Sequence, residues 1–460
     1  MTSVTSLSIP QLRAEFDGQV IAPDDPGYDQ ARTVVMGGID RRPAVIIRPS
    51  DADQVARVVA LARETGLELA IRSGGHSGAG HSVTDGGIVL DLANLQGLDI
   101  DAERRTAWAQ TGLTARAYTT AAAAHGLATG FGDTGSVGIG GITLGGGVGY
   151  LSRKHGLTID DLLAAEIVTA DGQLLRVDAE NHPDLFWAIR GGGGNFGVAT
   201  RFQFRLHELP AAYGGILMLP ATAEAVLGFI AAARAAPEEL STIANVMPAP
   251  PMPFVPAEHH GKLVVLGLMC YAGPADAGER AVAPFRALGT PLADMLRPIS
   301  YPEMYLPEPE DYHPTAAARN MFVDSIDRAA AETIIEQLQR SDAPMRVTQL
   351  RVLGGAISRV SADATAYAHR ARQIMVNVAA FYTGPDDKPV REAWVNGLVA
   401  ALRQGDSDAY VNFVGDEGEA GVRAAYPGST WDRLAEIKGR YDPTNLFRLN
   451  QNIPPASTTK

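Results

Sequence analysis

The chain reads as an α+β protein of two domains, and three observations predict it. A βαβ unit between Ala44 and Arg72 runs directly into a glycine-rich loop, Arg72-Ser-Gly-Gly-His-Ser-Gly-Ala-Gly-His81. A second and denser glycine stretch follows at Gly138-Ile-Gly-Gly-Ile-Thr-Leu-Gly-Gly-Gly-Val-Gly149. After Leu209-Pro210 glycine thins out, and strands alternate with long helices up to about Gln404. The expected divisions are residues 1–210, 211–404 and 405–460.

The elements follow in order. Ala44–Arg48 is a strand, a Ser50-capped helix carries Val55, Val58, Val59 and Ala62 on one face, Gly66 stops it, and Glu68–Arg72 is the second strand. Open α/β layers bind ligands beyond the carboxyl ends of their strands, which is where the loop after Arg72 lies. Strands at Gly87–Leu92, Thr106–Gln110 and Val198–Leu206, a helix over Ala115–His125 and a hairpin turning at Asp171-Gly172 continue this layer. In the second domain, strands at Lys262–Tyr271, Arg346–Leu353 and Gln373–Phe381 alternate with helices at Ala223–Ala236, Ala275–Leu288, Ala329–Gln339 and Arg391–Leu402. Such a sheet would suit one wall of a substrate cleft. The proline-dense stretch Pro248–Pro256 can be neither regular helix nor central strand and is expected as a surface or cleft-edge loop.

Bulk composition excludes several classes. The chain of 460 residues is 46% hydrophobic and 20% charged, the balance of a globular protein. A formal charge of −13 argues against nucleic acid or an anionic membrane as partner. The amino-terminal stretch Met1–Pro10 has no basic start or apolar run, and no long uncharged apolar segment occurs, so a cytoplasmic protein without a membrane span is expected. The single cysteine, Cys270, permits neither an intrachain disulfide nor a thiolate metal site. A small molecule as partner, no metal, and a monomer or homodimer are the expectations.

The glycine runs carry the chemistry. Glycines that dense remove Cβ atoms and permit positive φ, so successive amide N–H groups can converge on an anion. Neither run is followed by Lys-Ser or Lys-Thr, and neither shows the strand-led Gly-x-Gly-x-x-Gly spacing, which disfavours a triphosphate loop and a nicotinamide site. Arg72 and the loop amides are the groups available for phosphates in so acidic a chain. His76 could bind a metal, polarise a substrate, attach a cofactor, or simply hydrogen-bond backbone; with His81 five residues away and no carboxylate in the loop, metal ligation lacks a convincing spacing.

Four stretches closely resemble the berberine-bridge-enzyme-like flavoproteins, a family within the vanillyl-alcohol oxidase and p-cresol methylhydroxylase (PCMH) fold group. They are Arg72–Leu92, Gly145–Asp161, Asp184–Gly197, and Tyr441–Phe447 with Asn450–Pro454. The resemblance implies a PCMH-type FAD-binding fold, a discontinuous FAD domain completed by the carboxyl-terminal segment, and a substrate domain on an antiparallel sheet with helices. It implies FAD bound covalently through His76. The second, cysteinyl attachment of many relatives maps to Thr134, so one tether is expected. By the same resemblance Ser73, Gly74, Gly75, Ser77, Gly78 and Gly80 cradle the pyrophosphate. Gly138, Gly140, Gly141 and Gly145, Gly146 and Gly147 follow the ribityl chain and ring, and Ser136 and Val137 belong to the cofactor set. His81, Gly194, Gly197, Val198, Asn450 and Asn452 complete the cofactor set.

Hydride loss from an alcohol or amine carbon to flavin N5 needs a group that takes the O–H or N–H proton, and a buried tyrosinate can do so. Tyr410 is the candidate, with Asn412 sharing its face by the two-residue period of a strand; relatives carry Tyr-x-Asn-Tyr here, with Phe413 replacing the second Tyr. Val148 stands where many relatives place an assisting Tyr, and Tyr150 is expected on another part of the turn. The resemblance places an acid or amide on the strand after His369-Arg370, and Asn377, the sole polar side chain within Ile374–Ala380, stands there. With few polar groups, the substrate expected is aromatic or natural-product-like rather than a free sugar. Oxygen is the expected acceptor, giving hydrogen peroxide, although Ile142 matches a position where bulk impedes oxygen in relatives. A dehydrogenase with another acceptor and an NADPH-fed, non-covalent FAD reductase are the alternatives.

Overall fold

The computed structural model describes residues 7–309 and 311–456; the first six residues of the amino-terminal stretch considered above lie outside them. Three sheets make the frame. In the first, Val45–Arg48 and Leu69–Arg72 both run parallel to Ile88–Asp91 between them, and Gln19–Ile21 adds an antiparallel edge. The crossover helix Ala52–Thr65 buries Val55, Val58, Val59 and Ala62, as its apolar period predicts. Its cap is Asp51 rather than Ser50: the Asp51 carboxylate accepts from the amide of Gln54, while Ser50 lies one residue outside. Gly66 ends the helix at φ +69°, a conformation that suits glycine.

The second sheet is antiparallel, in the order Leu98–Asp101, Thr106–Gln110, Val198–Arg205, Leu162–Val168, Leu174–Asp178. Phe202 and Phe204 pack from it against Tyr118 of the helix Ala115–Ala123 and against Phe131. That core also takes in Val422, Trp431, Leu434 and Ile437 from the carboxyl-terminal helices Gly418–Ala425 and Ser429–Tyr441, so the end of the chain returns to its first half.

The third sheet is antiparallel and has eight strands. Along it run Ala293–Asp294, Ala212–Pro220, Leu263–Tyr271, Leu240–Pro248, Arg346–Val352, Ile374–Phe381 and Ala316–Val323, with Arg297–Ile299 also pairing to Ala212–Pro220. Four helices, Ala223–Ala235, Ala275–Arg286, Arg328–Arg340 and Lys388–Leu402, cover one face. Alternation decides what the other face shows. Leu350 and Val352 point to the helices, as do Ile374, Val376 and Val378, so Gln349, Arg351 and Asn377 point away from them. Five of these strands, Ala212–Pro220, Leu240–Pro248, Ala293–Asp294, Arg297–Ile299 and Ala316–Val323, are absent from the sequence reading. Ala212–Pro220 is nearly continuous in apolar or small residues, a pattern that does not separate strand from buried helix, and Arg319 and Asn320 interrupt the apolar alternation of Ala316–Val323.

The carboxyl-terminal return is held by a buried ion pair. Lys438 and Asp442 are both fully buried, with Nζ 2.6 Å from Oδ2. Nζ also donates to the carbonyls of Asn195 and Phe447 at 2.7 and 3.0 Å, and Asp442 accepts from the amides of Leu446 and Phe447. Every proton of the ammonium is thus used, which is the condition under which a buried charge is tolerated. Replacing Lys438 by Met is expected to cost about 3–5 kcal/mol, because Asp442 would stay buried without its counter-charge. Equilibrium denaturation checks this, and an unchanged midpoint would mean that the two amides alone sustain the carboxylate.

Candidate active site

A cavity of about 480 Å³ opens where the three sheets meet. Its construction begins with backbone. A Cβ on Gly74 would strike the amide of Gly138, and one on Gly138 would strike Gly74 and the Ser73 hydroxyl, so the two glycine runs can touch only as glycine. Ser73 Oγ sits at the junction, donating to the carbonyl of Thr111 and accepting from the amide of Gly140 at 3.2 Å. Gly141 and Gly194 line the cavity, and a Cβ on either would meet no protein atom, so the space before them is clear. At one part of the wall Leu69, Leu92, Val198 and Phe447 meet in a single apolar cluster. Among the described residues, four buried polar atoms on the wall have no protein partner: His81 Nε2, Ser82 Oγ, Asn377 Oδ1 and Asn450 Oδ1. A long cofactor with apolar and polar parts fits such a lining.

His76 lines this cavity, its Nε2 3.0 Å from Ser136 Oγ. Burial lowers its pKa, against the opposing charge of Glu308. Burial likewise brings His81 down to about 4, so its ring is neutral.

Tyr410 lies at the cavity in a cage of donors. Its phenol oxygen accepts from the amide of Gly147 at 2.8 Å, from Asn412 Nδ2 at 2.8 Å and from the amide of Val148 at 3.3 Å. Burial raises the phenol pKa, and these three donors, with Arg351, pull it back. The sequence reading set Tyr410 and Asn412 on a strand. Instead Tyr410 precedes a single 3₁₀ turn, Val411–Phe413, and Asn412 reaches back to the phenol. The turn is pinned from the substrate-side sheet, where Asn320 Oδ1 accepts the Tyr410 amide at 2.6 Å.

The structure brings together on the cavity wall Ser73, Gly74, Gly75, His76, Ser77, His81, Thr134, Val137, Gly138, Gly140, Gly141, Gly194, Gly197, Val198, Asn450, Asn377, Tyr410 and Asn412. Other expected residues stand elsewhere. The Arg72 guanidinium is off the wall, donating to Asp91 and to the carbonyls of Ala31 and Thr33, so it is spent on the fold rather than free for phosphate. Gly80 is off the wall at φ +73°, packed on Ile39, and Gly78 is also outside the lining. Gly145, Gly146 and Gly147 are not on the wall. Side chains there would collide with Asn412, crowd Tyr410 and Tyr367, and collide with Thr158 respectively, so Gly145 and Gly146 make room for the catalytic candidates and Gly147 for Thr158. Ser136 is outside the lining, hydrogen-bonded to His76, and Asn452 is also outside it with a buried, unpartnered Oδ1. Tyr150 is buried in a separate cluster, as expected.

Sequence reasoning missed a polar group on the third sheet. Asn320, Asn377, Gln349 and Asn245 are successive cross-strand partners, forming a row of amides on the face opposite the helices. Gln349 Nε2 donates to Asn245 Oδ1 at 2.9 Å, and Arg351 Nε donates to Gln349 Oε1 at 2.8 Å. Arg351 also pairs with Asp133 at 2.7 Å and lies over the Phe413 ring. Gln349, Arg351 and Asp133 line the cavity, so this end is more polar than expected. Alternation of Gln349 and Arg351 with Leu350 and Val352 was a usable signal; the pairing to Asp133, on a loop 218 residues away, was not. Among the described residues no group of three or more His, Cys, Asp or Glu could hold a metal, and no helix is long and apolar enough to cross a membrane.

Comparison with known proteins agrees with this geometry. Residues 43–178 match the family described as FAD binding domain, and residues 409–454 the family described as berberine and berberine like. (R)-6-hydroxynicotine oxidase of Paenarthrobacter nicotinovorans is 32% identical over 453 residues, covering 96% of this chain and 97% of that protein. The crystal structure of the 6-hydroxy-D-nicotine oxidase from Arthrobacter nicotinovorans superposes with a TM-score of 0.85 at 28% identity, over 95% of this chain and 98% of that one. Xylooligosaccharide oxidase from Myceliophthora thermophila, solved with xylobiose, gives a TM-score of 0.84 at 26% identity, over 98% of this chain and all of that one (100%). The chain therefore belongs to the berberine-bridge-enzyme-like FAD-linked oxidoreductases of the vanillyl-alcohol oxidase and PCMH flavoprotein superfamily.

Proposed function

We propose that the protein is an FAD-dependent oxidase that acts on a C–O or C–N carbon of a small, aromatic or natural-product-like substrate, with dioxygen as the final acceptor and hydrogen peroxide as product. The observation that carries this reading is the Tyr410 phenol oxygen, held by three donors at a cavity that His76 also lines. FAD bound there supplies the two-electron acceptor for a hydride from the substrate carbon. His76 is read as its covalent anchor, and the amides around Gly74, Gly75 and Gly138 as its phosphate and ribityl contacts.

Tyr410 is read as the base. Removing the substrate O–H or N–H proton onto the phenol oxygen requires that oxygen to be anionic, and the Gly147 and Val148 amides and the Asn412 amide all favour that form. A backbone amide at Val148 thus does part of what a second tyrosine would do. Ile142, Leu144, Val148 and Phe413 offer a ring its apolar contacts. The unpartnered Asn377 Oδ1 then favours a substrate that carries an N–H or O–H donor, since a buried acceptor left without one costs about 1–3 kcal/mol.

One observation favours a second reading, a dehydrogenase with another acceptor: Ile142 lines the cavity, and its Cδ1 lies so close to Gly132 that a Cβ there would crowd it. Stopped-flow reoxidation with dioxygen, set against a quinone, separates the two.

Acid precipitation of the purified protein is expected to give a yellow pellet with FAD mass on the His76 peptide, and His76→Ala a white one. Free flavin from the wild-type protein would withdraw the covalent anchor and favour the reductase alternative. Tyr410→Phe is expected to slow anaerobic flavin reduction about 100- to 10,000-fold with little change in substrate binding. Because burial raises the phenol pKa, the wild-type rate should climb with pH into the alkaline range, and the Phe variant should lose that limb. Equal reduction rates in the two proteins would remove Tyr410 from the chemistry.

A further inference from the structure

His76 sits at one end of a three-residue chain. Its Nε2 lies 3.0 Å from Ser136 Oγ, and the Ser136 hydroxyl donates to Oε2 of Glu308 at 2.5 Å. An ionised carboxylate only accepts, so the hydroxyl proton points to Glu308, and Oγ is left to accept from His76 Nε2–H. That order puts the proton on Nε2 and the lone pair on Nδ1.

Glu308 does not belong to the histidine loop or to the glycine runs. It is an exposed residue on the segment leaving the substrate-side half at Tyr305, and that segment is fastened across the first half at several points. Arg116 donates to the Leu306 carbonyl at 2.8 Å, the Gly37 amide donates to the Pro314 carbonyl at 2.9 Å, and His313 Nδ1 lies 3.0 Å from the Val34 carbonyl. Gly37 is confined beneath this strap, since a Cβ would strike Thr315 and His313. The strap brings a solvent-linked carboxylate behind the buried imidazole, with one hydroxyl between them.

We propose that Glu308 and Ser136 form a proton relay that takes the Nε2 proton of His76 as Nδ1 bonds to the 8α-methyl carbon of FAD. It rests on the covalent anchor proposed above. Joining Nδ1 to that carbon breaks one C–H bond and one N–H bond and leaves two electrons; dioxygen takes up the electrons and, in net, two protons as hydrogen peroxide. The N–H proton passes from Nε2 to Ser136 Oγ while the Ser136 proton passes to Glu308. Without that exit the alkylated ring would be an imidazolium in a site whose burial disfavours the cation. Ser136 and Glu308 are positioning residues here, acting through His76.

The test uses the full chain, obtained flavin-free from riboflavin-limited cells and then given FAD under air. Total bound FAD is read from absorbance, and covalent FAD from acid-stable flavin and the mass of the His76 peptide. Glu308→Gln and Ser136→Ala are expected to bind FAD at wild-type stoichiometry but to form the covalent adduct at least tenfold more slowly, and Ser136→Thr, which keeps a hydroxyl, to retain the wild-type rate. Wild-type rates in the Gln and Ala variants would overturn the relay and leave the anchor standing. A wild-type protein with only acid-soluble FAD would remove anchor and relay together. Loss of total FAD in proportion to covalent FAD would make the trio a structural brace and also overturn the relay.

Discussion

The contact between Gly74 and Gly138 governs the rest of the molecule. Two loop backbones meet there with no room for a Cβ on either. The meeting point lies two residues before His76 and immediately before the helix Ile139–Gly145, so the anchor candidate and the glycine face of that helix are set relative to each other by backbone alone. A side chain on either would force the two loops apart. What looks in the sequence like a ligand-binding excess of glycine is therefore partly a packing requirement.

The same division of labour explains Gly145, Gly146 and Gly147. They are absent from the cavity wall, yet the cavity depends on them, because Gly145 and Gly146 let Asn412 and Tyr410 approach closely enough for the Gly147 amide to reach the phenol, and Gly147 makes room for Thr158. Burial and donors act on Tyr410 in opposite senses, and burial wins in this structure. Each hydrogen bond favours the anion, however, so the arrangement resists protonation of the oxygen far more than an apolar pocket of the same depth would.

Two ties fix the carboxyl-terminal segment against the rest of the chain. Asn320 holds the Tyr410 amide from the third sheet, and Lys438 holds the Asn195 loop to the returning carboxyl terminus. Asn195 strengthens the second tie through its own side chain, whose Oδ1 accepts from the amide of Ile453 and whose Nδ2 donates to the carbonyl of Gln451. The cavity wall is thus assembled from stretches far apart in the chain, and each contributes only a few residues.

The sequence by itself determined the α+β class, the βαβ entry into the His76 loop, the four helices that cover the third sheet, and part of the wall, including His76, Asn377 and Tyr410. The class, the βαβ entry and the helices are legible because periodicity, turn chemistry and a glycine run are local properties, and the wall residues because the motifs that resemble the family are local too. Tertiary structure decided the rest. It committed Arg72 to Asp91 instead of a phosphate, turned Tyr410 and Asn412 onto one 3₁₀ turn instead of a strand, aligned four amides across four strands, and joined Arg351 to Asp133 and Ser136 to Glu308. The reason is common to all of them: a charge or hydroxyl takes the partner that the fold brings within about 3 Å, and cross-strand register and loop placement are set by cores and sheets whose members lie hundreds of residues apart.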